Sequence, residues 1–172
     1  MVHDSESLRK SFKYFYPHEL NLLKSLPGLV PRSPCVVVNV GSGAGTSGLA
    51  FLESRQDLIL HTIDIQDADS PFGCLYAERQ VCTAAGYTLG GRWFQHHMDS
   101  NLLAQKWTMP CDIVFVDGNH SYDGATGAIL GWFPHIRAGG YMAVHDYRKG
   151  DILTGPDGFH ADGPHPEALE GV

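Results

Sequence analysis

Residues 35–48 read Cys-Val-Val-Val-Asn-Val-Gly-Ser-Gly-Ala-Gly-Thr-Ser-Gly, and no other stretch restricts the fold as much. A dense β-branched run is the signature of a strand buried on both faces. Glycines directly behind it let the backbone turn sharply and come within contact distance of a ligand. The helix start that follows offers unpaired N–H groups. The segment asks for a buried parallel sheet with a binding loop at one strand's carboxyl end.

The rest of the chain repeats the alternation. Leu8, Phe12, Phe15, Tyr16, Leu20, Leu22, Leu23 and Leu26 sit at helical spacing; Pro17 splits the stretch in two and Gly28 stops it. Strands are expected at Leu58–Ile65, more weakly at Trp93–Met98, then at Asp112–Val116 and Tyr141–Val144. Helices are expected over Leu49–Leu52, over Leu75–Ala85 with Gly86 as stop, and over most of Tyr122–Ile136. Such an order predicts one α/β domain, Rossmann-like, with a mostly parallel open sheet, helices on both faces and right-handed crossovers. Residues 1–34 would be N-terminal helices on the lid or acceptor side, 35–149 the binding core, and 150–172 a Gly/Pro-rich tail. In that tail Pro166-Glu-Ala-Leu-Glu reads as the first turn of a helix without a body, so a longer parent chain is expected.

Composition removes several functions. The formal net charge is -7 and no basic stripe exists to track phosphates, so nucleic acid is not the expected partner. A small molecule is. The polar N-terminus carries no signal region, and no apolar run approaches a membrane span, so a cytoplasmic protein is expected. Cys35, Cys74, Cys82 and Cys111 are scattered without a C-x-x-C pair, the pattern of reduced thiols rather than a zinc or disulfide framework.

Two motifs overlap in the glycine loop. Gly41-x-Gly43-x-Gly45 is one spacing; Gly43-x-Gly45-x-x-Gly48 is the dinucleotide fingerprint. The first glycine of a fingerprint sits directly at the strand end, and Gly41 does so. Asp64 closes the second strand, about twenty residues beyond the loop, where an acid accepts hydrogen bonds from ribose hydroxyls. Any adenosyl cofactor needs that, so Asp64 leaves the cofactor open.

The second half narrows the choice. Asp112-Ile-Val-Phe-Val-Asp117-Gly-Asn-His120-Ser-Tyr122 is followed by Ile136-Arg-Ala-Gly139-Gly140-Tyr-Met-Ala-Val-His145-Asp146-Tyr147. Together with the loop these strings resemble class I S-adenosylmethionine-dependent methyltransferases over residues 35–147. The closer likeness is to the branch of macrocin-type sugar O-methyltransferases and cephalosporin-hydroxylase-like proteins. The resemblance implies S-adenosylmethionine as cofactor across Gly41, Ser42, Gly43 and Gly45, with its ribose on Asp64 and Asp117 beside Gly41. It implies that Asn39, where the family often carries an acid, helps hold the amino-acid end without supplying charge. It implies an adenine contact near Asp99, and a sheet lacking the family's last two strands.

Asp117 and Asp146 would then end adjacent strands about 5 Å apart. Two carboxylates so close repel and raise one pKa. A divalent cation, magnesium or manganese, resolves this, with His145 as a third ligand that suits manganese better. Such an ion would polarise an acceptor hydroxyl. In the resembled enzymes the histidine matching His120 is the proposed base, and Asp117 is the second catalytic candidate. The aromatic residues Phe12, Tyr14, Phe15 and Tyr16 are a lid or part of the core, and His96 and His97 are structural. The expected reaction is O-methylation of a small hydroxylated metabolite, a sugar or natural product. The rival of the same fold, an NAD(P)-dependent oxidoreductase, lacks a Tyr-x-x-x-Lys pair and has the wrong glycine register. A non-catalytic adenosyl-binding module is the second rival. After the fifth strand an open sheet edge is expected, to be covered by residues 150–172, by a second subunit in a homodimer, or by further chain.

Overall fold

The computed structural model describes residues 15–66, 69 and 71–146. In chain order these form α1 (Pro17–Ser25), a 3-10 turn (Leu26–Leu29), β1 (Cys35–Val40), α2 (Thr46–Ser54), β2 (Leu58–Asp64), α3 (Cys74–Ala84), β3 (Trp93–His97), α4 (Ser100–Ala104), β4 (Cys111–Val116), α5 (Tyr122–Trp132), a second 3-10 turn (Phe133–His135) and β5 (Ile136–Val144). The five strands lie in the order β3-β2-β1-β4-β5 and every neighbouring pair is parallel. This is the α/β, Rossmann-like sheet that the alternation predicts. The tail from Tyr147 onward and the first helical stretch, with Phe12 and Tyr14, lie outside the described residues.

β1 shows why the β-branched run is diagnostic. Val37 packs into one core with Leu49, Phe51, Leu60, Trp93 and Phe115. Val36, Val38 and Val40 enter the opposite core with Ile63, Val114 and Trp132. A period of two with apolar residues at nearly every position leaves no solvent face. Burial of each such side chain contributes about 1.5–3 kcal/mol. The sequence's one interruption, Asn39, is therefore buried as well.

Three elements differ from expectation, the first being α4, a short helix capped by Asp99 that the sequence reading does not include. α2 begins at Thr46, because Gly45 takes a left-handed φ of 83° and acts as its N-cap. Gly48 thus lies inside the helix, where a Cβ would collide with Glu78 Oε1. It is a packing glycine, not a third binding glycine. At the other end, Pro134 stops the helix early and β5 starts at Ile136 rather than Tyr141. The Gly139-Gly140 pair does not open the strand but kinks it: the pairing shifts register between Cys111 and Ile113, and Gly139 absorbs the change at φ 76°. A Cβ on Gly140 would lie 2.5 Å from the Asp112 carbonyl oxygen.

Below the sheet, buried Asp112 joins three segments. It accepts from Val36 N at 2.9 Å, Arg32 Nε at 2.7 Å and an Arg137 guanidinium nitrogen at 2.9 Å. All four cysteines are free thiols, three of them buried. Among the described residues no helix is long and apolar enough to cross a membrane.

Candidate active site

The strand order reverses between β1 and β4, and ligands of open α/β sheets bind beyond the carboxyl ends at such a point. Two backbone bonds lock the strand tips there: Gly41 N to Ile63 O and Asp117 N to Val40 O, both 2.8 Å. Gly41 has φ 89°, and a Cβ on it would run into the Asp117 carbonyl. The two loops touch because the residue at 41 has no side chain. Above them opens a cleft of roughly 590 Å³, within the size range of small-ligand sites.

One wall is the glycine loop and Asp64. Asp64 Oδ2 accepts from Ser42 N at 2.8 Å and Ser42 Oγ at 3.0 Å, and Oδ1 accepts from Gln66 N at 2.8 Å. A carboxylate offers about four lone-pair sites, so acceptor capacity remains for a ligand. The same side chain that would read a ribose also shapes the loop. Asp99 lines the cleft too, but its Oδ1 caps α4, accepting from Asn101 N and Leu102 N at 2.8 and 3.0 Å.

Asn39 does not reach the cleft. Strand alternation turns it toward α2, where Nδ2 donates to Ser47 Oγ at 3.2 Å and Oδ1 is buried without a partner. Any effect on a ligand passes through the first turn of α2. This corrects the expectation of direct contact.

The opposite wall gathers Asp117, His120, His145 and Asp146. His120 Nδ1 lies 3.3 Å from Asp146 Oδ2, and its Nε2 lies 3.8 Å from Asp117 Oδ1. His145 Nδ1 sits between the same acids, 3.1 Å from Asp117 Oδ1 and 3.3 Å from Asp146 Oδ2, while Nε2 lies 3.5 Å from Glu19 Oε1 on α1. Its ring packs on Phe15 at 4.6 Å. Asp117 and Asp146 hold the ring through hydrogen bonding and charge together. Burial opposes a charged imidazole, yet the surrounding carboxylates outweigh it and lift His145 to about 10. Burial also pushes Asp117 upward, with the two imidazoles pulling against it. Asp146 holds φ 56°, a strained conformation for a non-glycine residue of the kind that clusters at functional sites.

Metal-ligating atoms of Asp117, His120 and Asp146 all lie within 4.8 Å of one another. Two carboxylates and an imidazole suit a divalent cation. The carboxylate pair is the one expected; the imidazole is not. The imidazole that converges with the two carboxylates is that of His120, whereas the sequence suggests His145. Glu19 is the residue missed altogether. The spacing Tyr16-Pro17-x-Glu19 announces a helix start, and Glu19 Oε2 does accept from Tyr16 N at 2.6 Å. Nothing local announces its reach to His145.

A family profile described as a methyltransferase domain matches residues 38–147, a span that runs from β1 through the acidic tip of β5. The chain belongs to the methyltransferase-domain family. No curated protein sequence matches it. Among solved structures, this methyltransferase domain is similar to a Staphylococcus aureus protein provisionally named a caffeoyl-CoA O-methyltransferase. That likeness has 14% identity and a TM-score of 0.67, covering 81% of this chain and 65% of the other. It is similar to TomG from Streptomyces achromogenes, an O-methyltransferase involved in tomaymycin synthesis and solved with S-adenosylmethionine. Here identity is 20%, TM-score 0.64, and coverage 97% and 71%. It is also similar to an rRNA methylase from Streptococcus thermophilus, at 14% identity, TM-score 0.58, and 79% and 74% coverage. At these identities the likeness is one of fold. The chain spans less than two-thirds of the Staphylococcus protein's length.

Proposed function

We propose that this methyltransferase domain uses S-adenosylmethionine to methylate a hydroxyl group of a small molecule in the cytoplasm. The observation that carries the reading is the meeting of two walls in one cleft, with the glycine loop and Asp64 facing Asp117, His120 and Asp146. Asp64 supports the ribose, and the N–H groups around Gly43–Ala44 and the start of α2 support the cofactor's carboxylate. When bound there, S-adenosylmethionine supplies an electrophilic methyl on a sulfonium. His120, held toward Asp146, would take the proton of an acceptor hydroxyl placed in line with that methyl. Orientation of the acceptor between His120 and Phe15 makes the step nearly unimolecular. A chain with net charge -7 and no basic stripe favours a small acceptor over RNA.

A second reading, favoured by the convergent donor set, adds a divalent cation on Asp117, His120 and Asp146. Such an ion would polarise the acceptor hydroxyl, and an imidazole in the set favours manganese over magnesium. His120 would then be a ligand and not the base. Calorimetric titration with S-adenosylhomocysteine, NAD and manganese separates the possibilities. Binding of S-adenosylhomocysteine and not NAD is expected. Tight binding of NAD alone would overturn the assignment.

A further inference from the structure

Behind the glycine loop lies a carboxyl group that the cleft does not use. Glu78 on α3 is fully buried. Thr62 Oγ1 contacts its Oε1 at 2.8 Å, while Oε2 accepts from Gln95 Nε2 at 2.7 Å and Trp93 Nε1 at 3.3 Å. One carboxyl thereby ties α3 to both β2 and β3. On its other side stands the beginning of α2. A Cβ on Gly45 would come within 2.5 Å of Glu78 Cα, and one on Gly48 would meet Oε1. Thr46 and Ser47, between those glycines, line the cleft.

We propose that Glu78 is a positioning residue for the cofactor loop, seating Gly45–Gly48 from behind in its neutral form. The ligand side of this proposal rests on the S-adenosylmethionine reading of the cleft. Among the described residues no cation forms an ion pair with Glu78; nearby Arg79 on α3 binds Gln95 instead, at 3.1 and 3.3 Å. The other titratable groups acting on it or through it are Asp64 at the tip of β2 and Cys74 at the start of α3, neither of them cationic. α2 brings no charged side chain before Glu53, and β3 brings only neutral Trp93 and Gln95 to this carboxyl. Burial pushes Glu78 up to about 7, against the pull of Gln95, Thr62 and Trp93.

In the neutral acid, Oε1 carries the proton toward Thr62 Oγ1 and Oε2 stays free to accept from Gln95 and Trp93. Ionised, the group becomes a buried charge without a partner cation, a costly arrangement relieved only by admitting water. It would also compete for the positive end of α2, the field that a cofactor carboxylate needs. Both effects loosen the loop from behind.

The test is calorimetric titration of the full chain with S-adenosylhomocysteine at about pH 6 and about pH 8.5, in wild type and Glu78→Gln. Wild-type affinity is expected to fall by about tenfold or more over that range, one pKa unit of linkage being tenfold. Glu78→Gln is expected to keep the affinity seen at low pH and to change by less than about twofold. Parallel profiles in the two proteins overturn the proposal, as does a folded Gln variant that binds weakly at both pH values. Hydrogen-exchange protection of the amides of residues 43–48, measured without ligand, is expected to fall with pH in wild type alone. Should wild type bind no S-adenosylhomocysteine at either pH, the cofactor reading fails, and protection independent of pH would overturn the Glu78 role as well. Should Glu78→Gln not fold, Thr62→Val replaces it: losing a donor to the ionised form should move the transition to higher pH, and an unmoved transition overturns the proposal.

Discussion

Gly41 and Gly43 occupy the same loop and both have positive φ, but only one is tied to the opposite strand. Gly43→Ala meets nothing within 4 Å, so it should cost only the left-handed backbone penalty, about 1–2 kcal/mol. Gly41→Ala adds overlap with the Asp117 backbone, a further ~1–3 kcal/mol, and should also displace the acidic wall. Chemical denaturation with S-adenosylhomocysteine titration checks the order: Gly41→Ala should lose both stability and ligand, Gly43→Ala mainly stability. Equal losses would contradict the close-approach argument. At Asp64, substitution by alanine releases Ser42 and Gln66 as well as any ribose contact. Cofactor affinity should fall by about 1–3 kcal/mol in calorimetry, and unchanged affinity would remove Asp64 from the site.

β2 and β3 are joined on one face by a pair of histidines. His61 Nδ1 lies 3.0 Å from His96 Nε2, and the His61 ring stacks on Phe94 at 5.0 Å. Burial, with His96 adding a little, lowers His61 to about 4. The unfolded chain therefore takes up this proton first. The stabilisation is present above pH 6.5, the ordinary histidine value, and is lost as pH falls toward about 4. Glu78 acts oppositely over part of that range, since a carboxyl raised in the fold favours the folded state at low pH. The difference between wild type and His61→Phe isolates the histidine. Melting curves should converge at low pH and separate above pH 6.5 if the paired imidazoles favour the fold. A separation independent of pH would mean that His61 ionises normally. At the other end of the sheet, Asp112→Ala strips β1 and β5 of their shared anchor. About 3 kcal/mol should be lost on denaturation, the lower end for a broken buried pair because Arg32 and Arg137 reach solvent.

For the molecule as a whole, ligand linkage gives the simplest discrimination between cofactors. S-adenosylhomocysteine at a hundredfold excess over its Kd should stabilise the fold by about 2.7 kcal/mol, and NAD should not. In a domain of this size that corresponds to a rise in melting temperature of roughly 5–10 °C. Manganese should add its own shift in wild type and none in Asp146→Asn. An undiminished manganese shift in that variant would remove the ion from the Asp117–His120–Asp146 cluster. β5 is the last strand of the sheet among the described residues, which leaves its outer edge as the place where tail, further chain or a second copy would pair.

The alternation of strands and helices and the glycine turn are local or periodic properties, and the sequence determines them by itself; the switch point between β1 and β4 follows only from the family resemblance and the tertiary strand order. Val36–Val40 cannot avoid burial on both faces, and Gly41 marks the strand's end because only glycine tolerates the approach of Asp117. The acids Asp64, Asp117 and Asp146 are legible for the same reason, each standing at a strand tip. What the tertiary structure alone decides is direction and partnership. Asn39 and Asp64 both lie near strand carboxyl ends, yet one is buried in the core and the other lines the cleft. His120 and His145 are both histidines beside acids, but only tertiary packing brings Glu19 within 3.5 Å of His145. Glu78 looks like the solvated face of a helix until β2 and β3 close over it. Periodicity records which residues face inward; it does not record what they meet there, because those contacts join segments far apart in the chain.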